Sequence, residues 1–162
     1  MSVAAGLRLF VGFLLLLVAH FTLRPLLGGP APIDFLLIAV LFVSVHLRPG
    51  AAALLGFAVG TLTDAVAPES FGAGALALTL VGYAGGWLRA VFLADQLPLT
   101  ALVVFGGKWL FDAIYVLVGP AKRGVSLVLQ LLLWSPLAAA LTALVAVVML
   151  VLFRPLFRGE NG

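Results

Sequence analysis

Residues 56–83 read GFAVGTLTDAVAPESFGAGALALTLVGY, and this stretch decides the architecture. Gly56, Gly60 and Asp64 recur at four-residue spacing, so in a helix they fall on one stripe, which Ala52 extends one turn back. Small residues along a stripe let two helices approach closely. The stripe ends at a carboxylate beside a short polar turn, Pro68-Glu69-Ser70. A second glycine-rich apolar run follows, with Gly72, Gly74, Gly82, Gly85 and Gly86. The pattern predicts a tight helix–helix contact inside a membrane, with one ionisable group at its end.

Composition sets the solvent. The 162 residues are 64% hydrophobic and only 9% charged, with a mean hydropathy of +1.29. A soluble domain carries about a quarter charged residues, so there is too little polar surface here to cover a water-soluble globule. A spanning helix needs roughly 20 largely apolar residues, which leaves room for five or six spans in one transmembrane domain, 1–162, and almost nothing outside the bilayer. The chain has no cysteine, which excludes disulfides, thiolate nucleophiles and cysteine metal sites. The net charge of +3 does not call for nucleic acid, because the basic residues are scattered near span ends as topology requires. Residues 1–28 do not resemble a cleaved signal, since the apolar run ends at Arg24-Pro25 without a small-residue cleavage site.

Six spans are expected, at 7–27, 33–47, 51–66, 71–93, 99–118 and 137–153. Proline and glycine punctuate them at 28–32, Arg48-Pro49-Gly50, 94–98 and Gly119-Pro120. Asp34 falls in the first turn of the second span, where a negative charge suits the helix dipole. Residues 127–134 read as an interfacial or tilted lead-in, with Pro136 as a kink or restart. Arg8, Arg48, Arg89, Arg154 and Arg158 share one side, against Arg24, Lys122 and Arg123 on the other, which favours both termini in the cytoplasm.

Lys108 and Asp112 lie four residues apart near the middle of the fifth span, on one helical face. A charge at the bilayer centre costs about 2.5–3.5 kcal/mol on insertion scales, so such residues face the bundle and find partners. The pair reads first as a mutually neutralising anchor; the alternatives are an ion or proton pathway, or a polar contact with a partner helix. Asp64 has no basic neighbour at helical spacing and is expected to point into the bundle, bonded to backbone or hydroxyl groups beyond the helix break. Thr61, Thr63 and Ser70 are the nearby candidates. His20 and His46 sit on different apolar spans, fall short of a metal site and read as satisfied bundle histidines. Trp87 and Trp134 fit belt anchors, while Trp109 lies deeper. Gly82-x-x-x-Gly86 is a helix-packing motif, and Tyr83 beside it is placed to hydrogen-bond across helices. No nucleophile, phosphate loop or metal cluster has a recognisable context, and neither enzyme nor cofactor is expected.

Pro32-x-Asp34, Arg48-Pro49-Gly50 and Gly56-Phe57-x-x-Gly60-x-x-x-Asp64, followed by Ser70-x-Gly72, Ala75-Leu76 and Gly82-Tyr83, resemble the MreD family of bacterial rod shape-determining membrane proteins. The resemblance is concentrated in residues 32–87. Phe71 stands before Gly72 where the family has proline or leucine, and Thr61 and Thr63 replace leucines. The resemblance implies an all-α bundle of six transmembrane helices, similar to the substrate-binding subunits of energy-coupling-factor vitamin transporters. It implies a non-enzymatic subunit of the cell-wall elongation machinery in the inner membrane. Its partners would be MreC and, directly or through MreC, RodA and its penicillin-binding transpeptidase. On this view Gly56, Gly60, Asp64, Gly72, Gly82, Tyr83 and Gly86 form a flank that admits the MreC helix. The runner-up is a vitamin- or ion-binding transporter subunit with a polar pocket lined by Lys108 and Asp112.

Overall fold

A computed structural model describes residues 3–26, 33–66, 71–89, 96–119 and 125–158. The expected turns at 28–32, 68–70 and 120–124 lie outside the described residues, as do Pro32, Glu69, Ser70, Lys122 and Arg123. The described chain forms α1 (Val3–Leu26), α2 (Phe35–Ser44), α3 (Pro49–Val66), α4 (Ala73–Trp87) and α5 (Leu97–Val118). A last helical rod follows as α6 (Val125–Leu129), a π turn (Gln130–Trp134) and α7 (Ser135–Arg158). No strand occurs among the described residues.

Among the described residues, three stretches are long and apolar enough to cross a membrane: Pro49–Val66, Leu97–Val118 and Ser126–Leu152. The other apolar stretches, Phe10–Leu23, Phe35–Ser44 and Ala73–Trp87, are shorter. The outer surface is apolar to match, with Leu14, Phe57, Leu62, Trp87, Leu102 and Leu144 all exposed. These features are compatible with insertion into a bilayer.

α2 is the axle of the bundle. Every residue from Phe35 to Leu41 is buried, as a helix apolar on all sides requires. It packs on α1, α3, α4, α5 and α7, and the main core gathers around Leu37, Ile38 and Leu41 with Leu16, Val81, Val104 and Ala146. Asp34 caps its N-terminus, accepting Leu37 N–H on Oδ1 at 3.2 Å. Two tight turns, His46 N–H to Val43 O and Leu47 N–H to Ser44 O, end it. Pro49 then opens α3, where a missing N–H removes nothing from the first helical turn. The second expected span, 33–47, therefore shrinks to ten residues, because the chain reverses before it can extend.

α3 and α4 make the closest helix pair. The buried residues of α3 are Ala52, Gly56, Val59, Gly60 and Asp64, the stripe that the four-residue spacing predicts. A methyl on Gly60 would meet Ala75 Cα at 2.5 Å and Gly74 O at 2.7 Å, and one on Gly56 would collide with the Leu78 carbonyl. The seam is backbone against backbone.

The last rod differs from the expected break at Pro136. Pro136 has no N–H and its ring crowds the carbonyl of Leu132, so a regular α-turn cannot pass through it. The chain widens instead, and Ser135 N–H reaches back five residues to Gln130 O. Residues 127–134 are thus helical and continuous with α7 rather than a separate lead-in.

Candidate functional site: an ion cluster at the head of α2

Asp34 gathers side chains from three other elements. Its Oδ2 lies 3.4 Å from Lys108 Nζ in α5, and its Oδ1 lies 3.4 Å from His20 Nδ1 in α1. Its backbone N–H donates to Thr142 Oγ1 in α7 at 3.2 Å. Lys108 also donates to Asp112 Oδ1 one turn further along α5, and its ammonium sits 5.0 Å from the Phe111 ring centroid. Ser135 Oγ, at the start of α7, is fully buried beside Asp112 without closing a hydrogen bond of ordinary geometry. His20, Asp34 and Lys108 are each at most 5% exposed.

The local sequence explains each placement. Lys108 and Asp112 share a face through helical spacing. Asp34 precedes an unbroken apolar run, the natural place for a cap. Thr142 lies on the small-residue face of α7 with Ala138, Ala139 and Ala146, which lets that helix come close. His20 Nδ1 accepts Leu36 N–H at 3.3 Å, so two of α2's otherwise unmatched N-terminal donors, Leu36 and Leu37, end on His20 and Asp34. One ammonium between two carboxylates in a low-dielectric interior stabilises both, and losing any partner leaves a charge exposed to apolar surroundings. Such an array can hold and exchange protons. It presents no three ligating side chains converging as for a metal among the described residues.

Asp64 forms a second, separate polar site. It is 2% exposed, and its Oδ2 accepts Gly72 N–H and Ala75 N–H, both at 2.9 Å. It therefore caps α4 from the end of α3, across the helix break as expected. Of the backbone and hydroxyl partners expected, it takes backbone: Thr61 donates to Ala58 O and Thr63 to Gly60 O, within their own helix, and Ser70 lies outside the described residues. Gly72, with φ +97°, adopts the left-handed turn that brings its N–H to the carboxylate.

Of the two roles expected for the glycine flank, helix packing and partner contact, the geometry fits packing within the chain. A methyl on Gly82 would collide with Ala52 O, and one on Gly86 would meet Pro49 Cα at 2.8 Å, so both glycines face α3 just as Gly56 and Gly60 face α4. The groove is filled by the chain's own helices and cannot also seat a foreign one. Tyr83 points outward, nearly half exposed. His46 is an exposed residue at the α2–α3 turn, its Nδ1 2.8 Å from Phe42 O, rather than a bundle histidine. Lys108 and Asp112 do not line the groove of about 290 Å³ between α4 and α5, which is walled by Val81, Gly85, Leu102, Gly106 and Leu110.

Spacing alone exposes the Lys108–Asp112 pair. It misses the addition of Asp34, His20 and Thr142, whose only sequence signal is an acidic residue ahead of an apolar run. No family model, curated protein or solved structure matches the chain.

Proposed function

We propose that this protein is a non-enzymatic, multi-pass subunit of the bacterial cell-wall elongation complex, similar to the MreD family. In this reading it crosses the inner membrane six times with both termini in the cytoplasm. It binds MreC and, directly or through MreC, acts on RodA and its penicillin-binding transpeptidase to direct lateral peptidoglycan synthesis. One observation carries the reading. The residues of the resemblance form a single packing module: Asp34 caps α2, Pro49 opens α3, Gly56 and Gly60 meet α4, and Asp64 and Gly72 join α3 to α4. A motif that encodes a rigid helical unit suits a scaffold, which holds partners in fixed relation without touching a substrate. Because the small-residue seam is occupied internally, partner contacts belong on the outer apolar faces, such as Phe57 and Leu62 of α3 or Leu80 and Tyr83 of α4.

The test is recovery of the complex. The chain, tagged and extracted in mild detergent from a rod-shaped bacterium, is expected to bring down MreC, and its depletion to give round cells. Membranes that yield no MreC with it, from cells that keep their shape without it, would end the proposal.

A second reading, an ion-binding transporter subunit, is favoured by the buried Asp34–Lys108–Asp112 array. It predicts saturable binding of a small ion or ligand to the purified protein, abolished by Asp112→Ala.

A further inference from the structure

A single nitrogen at the head of α2 stands between two partners. His20 Nδ1 accepts Leu36 N–H at 3.3 Å and lies 3.4 Å from Asp34 Oδ1. The two contacts demand opposite states of the ring. Accepting from Leu36 needs a bare lone pair on Nδ1, with the ring proton on Nε2; donating to the Asp34 carboxylate needs a proton on Nδ1. One atom cannot serve both.

We propose that His20, Asp34, Lys108 and Asp112 form a buried proton-binding site, with His20 Nδ1 as the atom that is loaded, and that loading releases the Leu36 N–H at the head of α2. This inference does not depend on the cell-wall reading. In the neutral state Nδ1 holds Leu36 N–H, while Asp34 accepts Leu37 N–H on Oδ1 and the Lys108 ammonium on Oδ2. A proton arriving from water goes to Nδ1 and turns it into a donor aimed at Asp34 Oδ1. The ring becomes a cation beside a carboxylate, which suits it. Leu36 N–H then faces another donor and loses its acceptor, in a buried turn where an unmatched N–H is unfavourable. Loss of the proton reverses the exchange.

The groups around this nitrogen come from every neighbouring element. α1 brings His20 itself, and Asp34 is at the head of α2. α5 brings Lys108 and Asp112, and α7 brings the neutral hydroxyls of Thr142 and Ser135. Asp64 is committed to the start of α4. Lys108 holds the far oxygen of Asp34 in both states, so the carboxylate stays in place while the imidazole changes partner.

The experiment uses the full chain in lipid nanodiscs. Histidine ring nitrogens are followed by NMR between about pH 5 and 8, and amide exchange at Leu36 is measured against Ile38, corrected for intrinsic rates. Ile38 N–H bonds to Asp34 O and is an internal reference. As His20 takes up its proton, Leu36 protection relative to Ile38 is expected to fall roughly tenfold or more. His20→Asn keeps a side-chain acceptor but cannot titrate, so its Leu36 protection is expected to be independent of pH. A constant Leu36-to-Ile38 ratio through the titration of His20, or a ring that stays neutral throughout, overturns the proposal. If His20→Asn does not fold, the wild-type titration alone decides.

Discussion

At Gly60 one added methyl decides whether α3 and α4 can meet, because the atoms in its way are backbone and cannot rotate aside. Gly60→Leu is therefore expected to destabilise the protein by about 1–3 kcal/mol or more through overpacking, read as a lower unfolding midpoint in detergent. Leu54→Ala, on the opposite and exposed face of α3, is expected to leave that midpoint in place. Asp64→Ala strips two buried N–H groups of their acceptor, at about 1–3 kcal/mol. Asp64→Asn retains an acceptor oxygen and is expected to lose less; equal losses would show that the cap is not what matters. Lys108→Met leaves Asp34 and Asp112 without their shared cation and is expected to cost about 3–5 kcal/mol, with Lys108→Met combined with Asp112→Leu less harmful than the single change. These residues were unequally legible. Lys108 and Asp112 declare each other through helical spacing, and the Gly56–Gly60–Asp64 stripe declares a close contact. Asp34 is 74 residues from Lys108, and nothing in local sequence couples them.

Among the elements, the π turn carries the clearest consequence of a single residue. Pro136 denies a donor to the carbonyls four and five residues before it, Leu132 and Leu131, and the Trp109 indole N–H from α5 reaches Leu131 O at 3.3 Å. The turn and the indole are complementary, which fixes α5 against the last rod. Pro136→Ala restores the missing N–H and is expected to let the turn close into an α-helix. Removing the extra residue would rotate the segment before it by about 100°. Since the chain has no cysteine, Leu132→Cys gives one thiol at a position 68% exposed. A lipid-soluble maleimide should label it more slowly in the Pro136→Ala background; unchanged labelling would show that the π turn survives without its proline. Sequence marks Pro136 as an interruption because proline always is one. It does not say whether the helix stops or widens, since that choice depends on Trp109 arriving from another helix. The same limit applies to the glycine seam, whose closeness is local information while the identity of the opposing helix is not.

For the molecule as a whole, the outward faces of α1, α3, α5 and α7 are apolar while Asp34, Asp64 and Lys108 are buried, an inversion that water would not favour. The protein is expected to stay in the membrane pellet after an alkaline carbonate wash and to leave it only with detergent; release into the supernatant would contradict a bilayer-embedded bundle. The all-helical architecture and an apolar surface compatible with a bilayer were legible from composition, whereas helix length was not: α2 has ten residues where 33–47 was expected, because the chain turns between Ser44 and Pro49. The ten residues of α2 rise only about 15 Å, half of a hydrocarbon layer of roughly 30 Å. During synthesis this segment leaves the ribosome with Asp34 at its head, long before its stabilising neighbours exist. Lys108 follows 74 residues later and Thr142 follows 108 residues later. Nascent chains released before α7 emerges would leave that carboxylate's backbone N–H without Thr142 and the axle incompletely enclosed. A chain cut before Thr142 is expected to be cleaved faster by an added protease in detergent than the chain that carries α7, the last helix to reach the head of α2.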